Sequence, residues 1–365
     1  MLSFDESKKI GGDGYLFIHV DRAEIDFPEG INPYDDCVYQ KAKENLDRLV
    51  SEGIFIKDEK PCFYIYRLSC GEKDKTGIVG LASVCDYEDG VIKKHELTRE
   101  DKEIDRTRHI DACNAHTGPI FLISKDSKRL SEITKDYIQK NRPVYDFTDE
   151  EGVCHKVWVI SDEKISQEIV SVFSSFDSLY IADGHHRNAA AVNIAEKRRK
   201  QGIAGECANY LAVAFQENEL NLLPYNRLLK DLNGNTEEDI LEKISKDFRI
   251  EPSSSPVDPS KRHEFGMYLK GRWFKLWAKP EIISEDLVKN LDVSILQDHI
   301  LSPVFGISNP RKDERIDFAG GTKGTSYLMD MVDGGGFSAA FSLFPTSVSE
   351  LMEISDKNMI MPPKS

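Results

Sequence analysis

The chain has 365 residues, 40% hydrophobic and 30% charged, with 63 acidic against 48 basic side chains and a formal net charge of −15. That length allows two domains. No apolar run approaches the roughly 20 residues that cross a bilayer, and the acidic balance opposes a sequence-independent grip on a nucleic-acid backbone. The 7 cysteines are odd in number and form no C-x-x-C pair, which argues for reduced thiols in a cytoplasmic protein rather than a disulfide frame or a zinc site.

Taken in order, residues 14–20 (GYLFIHV) read as a strand. Residues 35–52 read as a helix, with apolar Val38, Ala42, Leu46, Leu49 and Val50 near helical spacing and Gly53 as its stop. Residues 61–68 and 76–86 read as strands around a hairpin-like turn at 71–75. Thr98 followed by Asp101 suggests a capping box for a helix over 99–112. On that helix Arg99, Lys102, Arg106 and His109, at spacings of 3, 4 and 3, share one ridge. By spacing alone this ridge is a solvated helix face. A turn at 115–119 leads to a strand at 120–124, then a helix at 126–141 and a strand at 153–160. There Cys154 and His155 face opposite ways, so they make no nucleophile pair. A helix at 162–173 follows.

Residues 179–200 read LYIADGHHRNAAAVNIAEKRRK. Leu179 to Ala182 form a buried-type strand, Asp183-Gly184 breaks it, and an alanine-rich helix begins at His185. Lys197, Arg198, Arg199 and Lys200 suit its carbonyl end. His185, His186 and Arg187 crowd its first turn, where the macrodipole is already positive and the N–H groups lack partners. An anion on that turn would resolve the conflict, with Gly184 allowing close approach. The plainer alternative is a turn capped by Asp183 with exposed His and Arg. A metal held by the two adjacent histidines is disfavoured, because neighbouring helical positions diverge by about 100°.

A strand at 208–216 and a hairpin return at 220–223 then deliver Pro224, Tyr225, Asn226 and Arg227. Arg227 there suits a bidentate grip on a carboxylate or phosphate, or else a surface pairing with an acid. A turn at 233–235 marks a boundary. Beyond it come a helix at 236–248, a polar loop at 251–260, two short strands within 263–277, and a helix at 286–300 in which Asp292 and His299 are structural. Residues 320–324 (GGTKG) look like a phosphate loop but miss the P-loop spacing and its strand–helix context. A glycine turn at 334–336, a strand at 337–344 and a helix at 346–355 complete the pattern. Alternating elements with hairpins intermixed imply a mixed α/β fold whose sheet is not purely parallel.

DGHHR at 183–187 with its small-residue helix resembles the DUF1015 family, whose members are often described as SpoOJ/ParB-type proteins. So do IKKHELTREDKEIDRTRH at 92–109, NAHTGPIFL at 114–122, LLPYNRLLKDL at 222–232 and MPPKS at 361–365. Against that pattern both ends of the sequence read as short. The core is similar to the ParB/sulfiredoxin superfamily, in which a Gly-X-His-Arg-like turn holds nucleotide phosphates and which includes free-serine kinases. The resemblance implies a ParB/sulfiredoxin-like mixed-sheet core over 1–232 and a smaller α+β domain over 233–365. It further implies an ATP- or ADP-dependent, Mg2+-assisted kinase of a small hydroxylated metabolite, with L-serine the first acceptor to try. Gly184, His185, His186 and Arg187 would hold the phosphates, with Arg106 and His109 facing the same pocket. Glu96 would serve as general base or magnesium-organising carboxylate, alongside Asp183 and His186. His95, Tyr225, Asn226 and Arg227 would bind substrate. Two other classes stand beside this one: a ParB-like nucleotide-binding regulator, DNA-partition-related but without a visible DNA-reading module, and a non-catalytic metabolite sensor. The expected partners are nucleotide and substrate, with neither membrane nor DNA; a homodimer is left open.

Overall fold

A computed structural model describes residues 4–71 and 73–364. It bears out a mixed α/β chain built on two sheets, and its contacts divide into two units, Met1–Leu220 and Asn221–Ser365. Glu72 of the expected turn at 71–75 and Ser365 of the 361–365 element lie outside the described residues.

In the first unit α1 (Phe4–Ile10), α2 (Ile18–Asp21) and α3 (Asp36–Ser51) precede the hairpin of β1 (Phe63–Cys70) and β2 (Lys73–Ser83). Then come α4 (Val84–Glu88), β3 (Ile92–Lys93), α5 (Glu100–Cys113), β4 (Ile120–Ser124), α6 (Lys128–Lys140), β5 (Tyr145–Thr148) and β6 (Cys154–Ile160). They are followed by α7 (Glu163–Phe173), β7 (Leu179–Asp183), α8 (His185–Lys200) and β8 (Asn209–Gln216). The sheet order is β3-β7-β4-β8-β2-β1-β6-β5. β3 with β7 and β4 with β8 run parallel, and the other neighbours are antiparallel.

The alanines of α8 follow from its position between two partners. Ala191 and Ala195 pack on the sheet with Ile120, Leu122, Ala212 and Ala214. Ala190 and Ile194, on another side, pack against Ile110 of α5. Small side chains let the helix approach both layers closely. Ile181 of β7 is fully buried in the same cluster, and truncating such a residue to alanine typically costs about 2–5 kcal/mol.

The second unit contains β9 (Tyr225–Leu229), α9 (Glu237–Ser245), β10 (Phe248–Ser253), β11 (Glu264–Leu269) and β12 (Arg272–Ala278). α10 (Asp292–Leu296), β13 (Ile316–Gly320), α11 (Gly324–Asp333), β14 (Ala339–Leu343) and α12 (Val348–Asp356) complete it. Its sheet, ordered β10-β12-β11-β14-β9-β13, is antiparallel throughout. β11 and β14 are buried at every position, and apart from Glu264 and Ser342 read as continuous rather than alternating apolar runs.

Four expectations are corrected. Residues 14–20 form no strand; the chain turns into α2, where the His19 imidazole bridges Asp26 (2.5 Å) and the Gly11 carbonyl (3.0 Å). A short apolar run does not by itself separate strand from helix. Residues 220–223 form no hairpin return, because the chain leaves β8 through a short 3-10 turn and pairs next, as β9, with β13 and β14. The single helix expected at 286–300 is interrupted: α10 begins only at Asp292, whose carboxylate accepts from the His263 N–H, and passes into a π-helical turn at Gln297–Leu301. Finally, residues 320–324 do join a strand, β13, to a helix, α11, so the strand–helix context is present although the spacing is not that of a P-loop.

Candidate functional site

Topology brings three of the candidate segments, around 94–96, 115–119 and 183–187, to one end of the first sheet. β3 runs parallel to β7, with Ile92 opposite Leu179 and Lys93 opposite Tyr180, and the loop beyond it brings His95 against His185. β4, antiparallel to β7, begins at that same end after the 115–119 turn. The carboxyl ends of parallel strands are where open α/β sheets place ligands.

The chain turns there on Gly184, the N-cap of α8, whose φ of 94° and ψ of 24° are left-handed, and no side chain caps the helix. Asp183 does not take the capping role; its carboxylate accepts from Arg187 Nη2 at 3.1 Å. The Arg187 guanidinium lies against two glycines. A Cβ on Gly184 would come within 3.2 Å of it, and one on Gly118 within 3.1 Å. Glycine at both positions therefore clears the space in which this cation sits, half-exposed, at the helix entrance.

Behind it two histidines are buried in contact. His95 and His185 are 8% and 6% exposed, with ring centroids 4.5 Å apart and planes at 88°. Burial drives the His95 imidazole down to about 4. It drives His185 to about 3, with His95, His186 and Lys94 adding repulsion. Both rings are neutral at pH 7, so they offer hydrogen bonds rather than charge. His95 Nδ1, His185 Nε2 and the Asn188 side-chain oxygen are all buried and without a hydrogen-bond partner. A buried polar atom left unpaired costs about 1–3 kcal/mol. Three of them within one corner mark a place that a polar ligand would complete. His186 is engaged: its Nε2 accepts the Arg99 N–H at 3.2 Å, which leaves the proton on Nδ1.

The other expected residues are placed as follows. Glu96 directly follows His95 in the loop before α5. α5 starts at Glu100 with Arg99 at its N-cap, and Thr98 donates to Glu103 rather than capping. Arg106 reaches Asp105 (3.0 Å) and Asp21 (3.2 Å), and His109 Nε2 lies 2.9 Å from the Val20 carbonyl. Each therefore has a partner on α2, and Arg106 a second on its own helix. Tyr225, Asn226 and Arg227 lie in the second unit, where the Asn226 side-chain oxygen accepts the Leu343 N–H at 3.2 Å. At the far end of α8, Lys197 and Arg198 meet Asp111 (2.6 and 2.9 Å) and Arg199 meets Glu88 (3.2 Å), so the basic run is neutralised locally.

Sequence reasoning missed Asn188 and Gly118. Asn188 sits at i+3 from His185 on a helix otherwise lined with alanine, and that spacing was its signal. Gly118 gave no signal beyond its place in the HTGP turn. A cavity of about 490 Å3 in the same unit, floored by Ala82, Leu122, Ala212 and Ala214, is lined by none of the candidate residues. Among the described residues, no group of three or more His, Cys, Asp or Glu is arranged to hold a metal ion. No described helix is long and apolar enough to cross a membrane.

A family model described as a protein of unknown function, DUF1015, matches residues 2–294. No curated protein matches the chain. Similar solved structures include a free serine kinase in complex with AMP, 14% identical, covering 78% of this chain and 85% of that one with a TM-score of 0.36. A conserved hypothetical protein from Pyrococcus furiosus is 13% identical over 78% and 88% of the two chains, with a TM-score of 0.34. SbnI with a C-terminal truncation, from Staphylococcus aureus, is 10% identical over 78% and 80%, with a TM-score of 0.37.

Proposed function

This chain belongs to the DUF1015 family, and we propose that it is a nucleotide-dependent phosphotransferase acting on a small hydroxylated metabolite, with free L-serine the first acceptor to try. The observation that carries this reading is the entrance of α8. A helix of 16 residues begins on a left-handed glycine with no side-chain cap, beside an arginine and three buried, unpartnered polar atoms. Such an entrance suits a phosphate, because free N–H groups, helix dipole and guanidinium act together on the same oxygens.

In this reading Gly184 and the first N–H groups of α8 cradle the nucleotide phosphates. Arg187 supplies the positive charge that the neutral His185 does not. The His185 Nε2 donates to the phosphates, the Asn188 side-chain oxygen accepts from a hydroxyl of the ligand, and His95 holds the His185 ring. Phosphoryl transfer depends mainly on positioning and charge neutralisation, so a rigid cradle provides much of the catalysis. Glu96 orients or deprotonates the acceptor hydroxyl, and His186 steadies the transferring group. Magnesium fits the carboxylates at this corner. It keeps several waters and needs only one or two protein carboxylates besides the phosphates, and Asp183 and Glu96 are the candidates. When bound, the ion neutralises charge on the phosphates. The ParB/sulfiredoxin-like character of the core and a cytoplasmic setting belong to the same proposal.

The experiment is to incubate the protein with ATP or ADP, magnesium and pooled metabolites, L-serine among them, and to search for phosphorylated product while measuring nucleotide binding by calorimetry. Product formation supports the reading. Binding without product moves the chain to the nucleotide-dependent regulators. No binding at millimolar nucleotide removes the phosphate cradle.

A further inference from the structure

We infer that the recess of about 490 Å3 in the first unit is a binding site for a small organic cation, an ammonium group carried on an aromatic or branched apolar body. The inference stands apart from the nucleotide reading. Ile92 and Leu179, the first residues of β3 and β7, line the recess, whereas His95 and His185 lie beyond the other ends of those two parallel strands.

Small residues cut the recess into the sheet. Gly80 of β2 stands opposite Ala212 of β8, with Ala82 two residues along one strand and Ala214 two along the other, so all four share one face. A Cβ on Gly80 would come within 2.7 Å of the Phe63 ring, so glycine there lets that ring lie against the sheet as a wall. Val170 and Phe173 of α7 add to the apolar lining, and Phe173 meets Phe176 edge-on with centroids 5.6 Å apart. Protein interiors pack to the density of organic crystals, and a sheet face that served packing alone would carry branched side chains on this floor. The volume falls in the range of about 300–1,000 Å3 typical of small-molecule sites.

Charge sets the class of ligand. Asp86 and Asp177 line the recess, and no lysine, arginine or histidine does. Both aspartates are exposed, and among the described residues neither carboxylate has an ion-pair partner. Glu88, one turn along from Asp86, is by contrast taken by Arg199 at 3.2 Å. An anion in the recess would meet two like charges, and a neutral molecule would leave both unused. An ammonium group is attracted by both and can also lie against the face of Phe63 or Phe173, where the ring quadrupole favours a cation. The apolar body then covers the alanine floor and removes it from water.

The test is calorimetric titration of the full chain with two amines, 2-phenylethylamine and 3-methylbutylamine, and with the uncharged 2-phenylethanol and the anionic 3-phenylpropionate. Amide hydrogen exchange locates the response. The amines should bind and protect peptides covering 80–86 and 170–177, with no change at 184–188, which reports the nucleotide site. The alcohol should bind about tenfold more weakly than 2-phenylethylamine, and the carboxylate should not bind. Asp86→Asn and Asp177→Asn should each weaken the amines about two- to fivefold and together about tenfold, leaving the alcohol unchanged. Ala82→Leu, which fills the floor, should abolish binding of amines and alcohol alike while thermal unfolding stays cooperative; if it does not stay so, the two aspartate variants carry the test. No response to either amine at millimolar concentration overturns the site. Amine binding that is unchanged in the double aspartate variant, or matched by 3-phenylpropionate, overturns the proposal, as does protection that appears at 184–188 instead. A dimer in sedimentation that Ala82→Leu dissolves would mean that a second copy of the chain covers the recess, and overturns it equally.

Discussion

The entrance of α8 and the corner at Arg227 both bury basic side chains, and they meet the cost in opposite ways. His95 and His185 give up their protons: burial takes them to about 4 and about 3, so at pH 7 the first unit buries two neutral rings with unpartnered nitrogens. Arg227 cannot do so at pH 7 even at about 9, and its guanidinium takes backbone carbonyls from Tyr225 and Lys364 instead. One corner is left with open hydrogen-bond positions, the other is closed by the protein's own chain.

The largest effect that would sharpen this contrast is chemical. Glu96→Gln should leave nucleotide affinity within about twofold and lower turnover by about 100-fold or more, the usual range for removing a general base. An unchanged rate with the responsive substrate would dismiss Glu96. Next in size, Arg187→Ala should weaken nucleotide binding by about 30–100-fold, since it deletes the cation lying over Gly118 and Gly184. Calorimetric binding retained in Arg187→Ala would mean that the charged group at that corner holds no phosphate, and the comparison would lose one of its members.

Much of the first unit was legible because its signals are local. The strand break at Asp183-Gly184, the alanine-rich helix and its cationic end all fall where the pattern puts them. In the second unit the helix expected at 346–355 is found over Val348–Asp356, capped by Ser347 with Glu350 completing the capping box. What was not legible depends on partners distant in sequence. Residues 14–20 carry strand-type side chains, but the bonds of His19 to Gly11 and Asp26 and of Asn45 to the His19 carbonyl hold a helical turn there. Residues 220–223 read like a hairpin return, whereas the next strand, β9, pairs with β13 and β14 about 90 and 110 residues further on, and pairings of that span leave no short-range mark. Arg106 and His109 share a ridge as expected, yet a ridge does not say which layer it faces. Asp21 and Val20 supply that answer.

The smallest effect is also the most direct test of neutral imidazoles at the α8 entrance. In the unfolded chain His185 titrates near 6.5, whereas in the native protein burial holds it to about 3. Above pH 6.5 both states are unprotonated there and the group contributes nothing to pH dependence. Below it the unfolded chain takes up a proton that the native protein refuses, so stability falls with pH down to the native value, by about 1.4 kcal/mol per pH unit for each such ring. His95 behaves alike down to about 4. In the second unit Asp292 runs the other way, since burial raises it to about 7 and acid between there and the unfolded carboxyl range stabilises the native state. The readout is therefore a difference between proteins. Between pH 6.5 and 5, wild type should lose about 2 kcal/mol more unfolding free energy in urea than His185→Gln. Saturating nucleotide should shrink that gap, because bound phosphate favours the protonated ring. Equal pH slopes in wild type and His185→Gln would mean that the ring is solvated and protonated in the native state. The contrast with Arg227 would then rest on a buried pair that does not exist.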